Sequence, residues 1–253
     1  MNYVNPRDHI VGGTSFHCMV GWVIYWSVIV MIALATILPT FGFALIGYLI
    51  ALIVYLGYQK RLHAMLRGSA IQVGPEQFPE IYQSAQNLCQ RLRLARVPDI
   101  YIFESNEQNA AALKTGSRQA LILTDDIVDG ALGTGDPKVL DFVLGHELAH
   151  HALGHTGLLR RSMSTKWRPV ARLDEFTCDS VAAALVESKQ AAATALALLA
   201  VGPQLLPRVN LRSLLRQTQE VVADKNSRKS EKTLTHPLLL RRYARVCGMD
   251  VKC

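Results

Sequence analysis

The stretch Leu144–His155, LGHELAHHALGH, holds four histidines and one glutamate within twelve residues. Its centre, His146-Glu147-Leu148-Ala149-His150, reads H-E-x-x-H. On a helix, residues i and i+4 lie about 40° apart around the axis. Both imidazoles then face one way and can share a metal ion, zinc by ligand type. Glu147, one step from the first ligand, can take the proton of an attacking water without being a ligand itself. Average residue usage gives this pattern by chance on the order of once in a hundred chains of this length, so the helix and a third ligand have to decide.

The nearest candidates for the third ligand are histidines. The pattern H-E-x-x-H-x-x-G-x-x-H fails, because positions 153 and 156 hold Leu153 and Thr156. His151 sits about 100° around the helix from His150. His155 lies beyond the helix stop expected at Gly154. Both read as non-ligands. Downstream, Glu175 and Asp179 stand at i and i+4 of a predicted helix. Glu175 could complete a His₂Glu site with an open fourth position. Asp179 could hold the far nitrogen of a ligating histidine. Taken alone, the pair is more often a solvated acidic face; together with H-E-x-x-H, which ends 25 residues upstream of Glu175, the metal reading is favoured.

These residues need elements to position them. Asp136-Pro137 has the form of an N-cap followed by proline at the first helical position. A helix from there runs through Val139, Leu140, Val143 and Leu144 into the histidines. A second helix is expected after Pro169, carrying Leu173 to Glu187. Ile81, Ala85, Leu88 and Leu92 recur at helical spacing over Phe78–Leu94. Asp99–Phe103 and Ala120–Thr124 are strand candidates, with a short third at Asn109–Ala112. Residues 191–206 read as a core or membrane-surface helix and 224–233 as a polar loop.

The chain's hydrophobic share, 50%, is concentrated at one end. Met19–Leu38 and Phe41–Tyr58 are uncharged runs separated by Pro39-Thr40, each about the length a bilayer core requires. They read as a transmembrane hairpin with Trp22, Tyr25 and Trp26 at one interface and Tyr55 and Tyr58 at the other. A cleaved signal peptide ending near Ala33-Leu34-Ala35, and a hairpin buried inside a soluble fold, are the alternatives. Arg7 before the hairpin and Lys60, Arg61 and Arg67 after it place both ends in the cytoplasm. The organisation expected is a 1–18 segment, a 19–58 hairpin and a 59–253 domain. Cys18, Cys89, Cys178, Cys247 and Cys253 form no Cys-x-x-Cys and fit reduced thiols. The net charge of +7 comes without a nucleic-acid recognition motif. It suits a domain beside anionic membrane lipid, and no nucleic-acid partner is expected.

In several stretches the chain resembles the M48 membrane metallopeptidases, the HtpX, Ste24 and OMA1-like group. QFPEIYQSAQNLCQRL resembles that family's leading helix and VPDIYIFESNEQNAAAL its strand and Asn-Ala segment. VLGHELAHHALGH resembles its zinc helix, EFTCD its E-x-x-x-D motif, and THPLLLRRYARV its late His-Pro segment. The resemblance implies an α+β, mainly helical, zincin-like metallopeptidase domain with a small β-sheet, behind the hairpin. It implies one zinc per chain on His146, His150 and Glu175, with Glu147 as general base. By the same resemblance, Asp179 stands behind the ligands, His236 steadies the transition state or caps the metal, Arg242 supports the site, and Asn109 lies on the edge strand receiving substrate. A zinc endopeptidase acting on extended protein or peptide segments, integral to a bacterial inner membrane with a cytoplasmic catalytic domain, is the expectation. A membrane-anchored zinc protein that binds without cleaving, and a structural membrane protein, are the competing readings. Only 24 residues separate His150 from Glu175, which leaves no room for the second hydrophobic pair that HtpX-like members often carry.

Overall fold

The computed structural model describes residues 2–105 and 109–251, with the backbone alone at positions 60 and 63. Cys253 and residues 106–108, the middle of the quoted strand and Asn-Ala stretch, lie outside the described residues. The fold is mostly helical with one small sheet, as the sequence implies.

Two long helices lead the chain: α1 (Thr14–Ile37) and α2 (Ala44–Ser69). Both are long and apolar enough to cross a membrane, and only 6% and 0% of their most apolar windows are buried. A hairpin hidden in a soluble core would bury those faces, so that alternative fails. The foot of α1 is nonetheless built into the rest of the fold. A Cβ added at Gly21 would lie 2.7 Å from Met163 Sδ and 2.9 Å from Trp167 Cδ1, so this glycine permits the contact. Tyr25 Oη donates to Ser162 Oγ at 3.1 Å. Before α1, Val4 is buried in the main core, and Val11 N–H donates to Thr177 Oγ1. Contacts of this kind belong to a segment that folds with the domain, and they argue against its removal as a signal peptide.

After β1 (Ile71–Val73), α3 (Pro79–Arg91) buries Ile81, Ala85 and Leu88, as the spacing predicts. Then come β2 (Asp99–Phe103), β3 (Ala110–Thr115) and β4 (Arg118–Thr124). Among the described residues the sheet order is β1-β2-β4-β3, with β2 and β4 parallel and the other pairings antiparallel. The third strand is longer than the short 109–112 segment expected, because a hairpin through Gly116, at φ 61°, carries its pairing to Thr115. Among the described residues β3 is therefore an edge strand.

The helices that follow are α4 (Asp125–Gly133), α5 (Pro137–Ala152), α6 (Leu158–Lys166), α7 (Arg168–Val186), α8 (Lys189–Val201), α9 (Leu211–Ala223), α10 (Lys225–Glu231) and α11 (Leu239–Val246). α5 begins as predicted: Asp136 caps it by accepting from Lys138 N–H, with Pro137 next. Leu144 and Leu148 on its back face are fully buried. Gly145 lets α7 approach, since a Cβ there would meet Leu185 Cδ1 at 3.1 Å. α7 starts at Arg168 instead of after Pro169, because proline in the first turn gives up an N–H that has no intrahelical partner. α8 buries Ala191–Ala193 and Ala195–Leu198 in the core, which makes 191–201 of the 191–206 segment a core helix. The 224–233 loop expectation is wrong. Asp224 accepts from Asn226 and Ser227 N–H and nucleates α10, so a capping carboxylate outweighs a polar composition.

Candidate metal centre and cleft

Three helices converge on one cleft. α5 brings His146, Glu147 and His150 to the cleft wall, α7 brings Asp174, Glu175 and Asp179, and α11 brings Arg242. The turn before α11 adds His236, and the edge strand β3 lines the opposite wall. The cavity measures about 480 Å³. Asn109, His146, Glu147, His150, Glu175, His236 and Arg242 all line it, while Asp179 stands behind.

His146 Nε2 lies 3.4 Å from one Glu175 oxygen, and His150 Nε2 lies 3.4 Å from the other. The ligand atoms of His146, His150 and Glu175 all fall within 4.8 Å of one another. A tetrahedral zinc with bonds of about 2.0–2.2 Å sets its ligand atoms roughly 3.3–3.5 Å apart, so the donor set and spacing fit that ion. Behind it, Asp179 Oδ1 is 2.9 Å from His146 Nδ1. Arg242 holds Asp179 from both sides, Nε to Oδ2 at 2.8 Å and Nη2 to Oδ1 at 2.7 Å. The arrangement leaves Nε2 of His146 free to face a metal and keeps Asp179 ionised.

The electrostatics follow from burial and pairing. Burial pushes the His146 imidazole down, but hydrogen bonds with Asp179 and Glu175 outweigh it and raise the pKa to about 10. Burial would raise Glu175, yet His146, His150 and His236 hold it well below the usual value. Asp179 is likewise pushed up by burial and pulled lower, chiefly by Arg242.

His236 is the most open member, with its side chain 69% exposed and Nδ1 3.3 Å from Glu175 Oε1. Asn109 contributes through its backbone: its carbonyl accepts from Thr124 N–H and Oγ1, and its own N–H donates to Thr124 Oγ1. These bonds pin the start of β3 against β4. His151 points away from the centre, as its angle on the helix predicts. Its Nδ1 contacts Thr156 Oγ1 and its Nε2 contacts Ala120 O, and burial lowers its pKa to about 4.

The surroundings of His155 are not anticipated by the spacing argument. Past the helix stop, it returns to the cleft, with Nδ1 3.2 Å from His150 Nδ1. Asp174 and Arg160 stand on its far side. The sequence holds a signal for this. Gly154, at φ 74°, closes the helix with Gly154 N–H to His151 O and His155 N–H to His150 O. In that closing motif the second residue past the cap always folds back over the last turn.

Helices, metal-ligand spacing and an edge strand beside the cleft form the kind of arrangement that a metallopeptidase with an H-E-x-x-H helix would need. Residues 75–168 match the family model for peptidase family M48, and the match supports an M48 family metallopeptidase. No curated protein and no solved structure gives a match.

Proposed function

We propose that the chain is a membrane-anchored zinc endopeptidase that cleaves protein segments bound in extended form. The observation that carries the reading is the convergence of the His146, His150 and Glu175 ligand atoms beside a free strand edge. Zinc held there would supply a Lewis acid that polarises a peptide carbonyl and makes water a stronger acid. Glu147, on the next helical position and buried at the cleft, takes the proton of the attacking water and delivers it to the leaving amine. Asp179 and Arg242 fix the His146 ring. His236, at the open side of the cleft, is placed to donate to the developing oxyanion.

The substrate reading rests on β3. Thr124 N–H bonds Asn109 O, so by alternation residues 111 and 113 bond β4, and Ala110 and Ala112 turn their N–H and C=O outward. An extended peptide adds to that edge through backbone bonds, which gives broad sequence tolerance. Ala112→Pro removes one outward N–H and is expected to raise KM roughly three- to tenfold with kcat preserved; an unchanged KM would move the peptide elsewhere. Basic residues flanking the hairpin favour a cytoplasmic cleft close to the lipid surface, with membrane proteins or misfolded segments within reach. Release of the chain from membranes by alkaline carbonate without detergent would refute the anchor.

The direct test is hydrolysis of an unfolded protein by the detergent-purified chain. Activity is expected to vanish on chelation and to return with zinc. A chain that binds one zinc and cleaves nothing would leave the binding-only reading standing instead.

A further inference from the structure

We propose that His155 is a positioning residue for the metal centre: it accepts the Nδ1–H of His150 and is itself held by Asp174, so that His150 presents Nε2 to the ion in one fixed orientation. This inference rests on the metal reading above.

The two histidines of the motif need the same support. Each presents Nε2 toward Glu175, so each must place an Nδ1–H somewhere. For His146 the acceptor is Asp179, held by Arg242. For His150 the group at Nδ1 is His155 Nδ1, at 3.2 Å. A neutral imidazole carries one N–H and one acceptor nitrogen. If His155 accepts at Nδ1, its proton sits on Nε2, and that atom lies 3.4 Å from Asp174 Oδ1. The same oxygen takes Arg160 Nη2 at 2.7 Å. The protons therefore balance along the row His150, His155, Asp174, Arg160, and the row ends as the other does, in an Asp–Arg pair, here partly buried. Asp174 and Asp179 flank Glu175 on one helix, so α7 supplies the third ligand and the anchor behind each of the other two.

One rival arrangement uses the same atoms. The Cys178 thiol lies 3.7 Å from His155 Nδ1, and His150, His155 and Cys178 could hold an ion among themselves. That would spend His150 Nδ1 on a second metal. The 3.4 Å approach of His155 Nε2 to Asp174 favours the row over the second ion, because it gives both ring nitrogens of His155 a neighbour without a further metal.

Zinc affinity and stoichiometry, measured on the full-length chain by competition with a chromogenic chelator, separate the cases. His155→Ala is expected to weaken zinc binding about 10–100-fold. His155→Gln, whose carbonyl can accept the same N–H, is expected to recover most of it. Cys178→Ala is expected to leave affinity and stoichiometry unchanged. Asp174→Asn keeps the volume, breaks the far end of the row, and serves if His155→Ala does not fold; it is expected to weaken zinc several-fold. Wild-type affinity in folded His155→Ala overturns the proposal, as does equal loss in the Ala and Gln variants, which marks packing alone. A second equivalent of zinc that disappears in both His155→Ala and Cys178→Ala overturns it in favour of the second metal site. A wild type that binds no zinc overturns the metal centre itself, and this proposal with it.

Discussion

Glu147→Gln is expected to reduce peptide hydrolysis by about 10²–10⁴-fold, the usual worth of a positioned general base, while one zinc stays bound. The two halves of that result come from different atoms. The proposed ligands are His146, His150 and Glu175, whose ligand atoms cluster without help from Glu147. Glu147 lies at the cleft on the neighbouring helical position. Its replacement by an isosteric amide keeps shape and hydrogen-bonding capacity and removes the ability to accept the proton. Elemental analysis together with a peptide assay on the same preparation reads both. Loss of zinc along with activity would make Glu147 a structural member of the centre, and full activity in the variant would end the proposed mechanism.

Much of this site is legible in the sequence because its chemistry sits on helices, where spacing translates directly into direction. The i, i+4 pair His146 and His150 can only face one way on a helix, and the Asp136-Pro137 start announces that helix. The same arithmetic on α7 places Glu175 and Asp179 on one face, toward the histidines that they meet. Arg242 is another matter. It reaches Asp179 from 63 residues away, and no local pattern encodes that contact. Arg160 and Asp174 come together across the α6–α7 turn for a similar reason. His155 is the instructive case. Gly154 is correctly read as the end of the helix, but an end is taken to mean departure. The left-handed glycine instead folds the chain back and lays His155 over the last turn. Helix α10 hides behind polar composition in the same way, with Asp224 as the signal that counts. The edge position of β3 comes from the family resemblance and from the tertiary pairing, since nothing within residues 110–115 themselves distinguishes an edge strand from an inner one.

Asp179→Ala is expected to be the most destabilising single change in the site, and how it is reversed identifies the cause. The carboxylate is buried and satisfies two groups at once: the Arg242 guanidinium, through two short bonds, and His146 Nδ1. Removing it strands a buried cation whose other carboxylate contact is Glu175 at 3.4 Å. Breaking one side of a buried pair costs about 3–5 kcal/mol, and loss of the group behind a ligating histidine weakens metal about 10–100-fold. The two effects separate in the double variant Asp179→Ala, Arg242→Met. With both charges gone, no uncompensated ion remains, and most of the stability of the metal-free protein is expected to return in denaturant unfolding. Zinc affinity is not expected to return, because His146 Nδ1 still lacks its acceptor. Recovery of both would mean that Asp179 acts on the metal only by keeping the fold intact. Recovery of neither would mean that the Arg242 side chain contributes packing that methionine cannot replace.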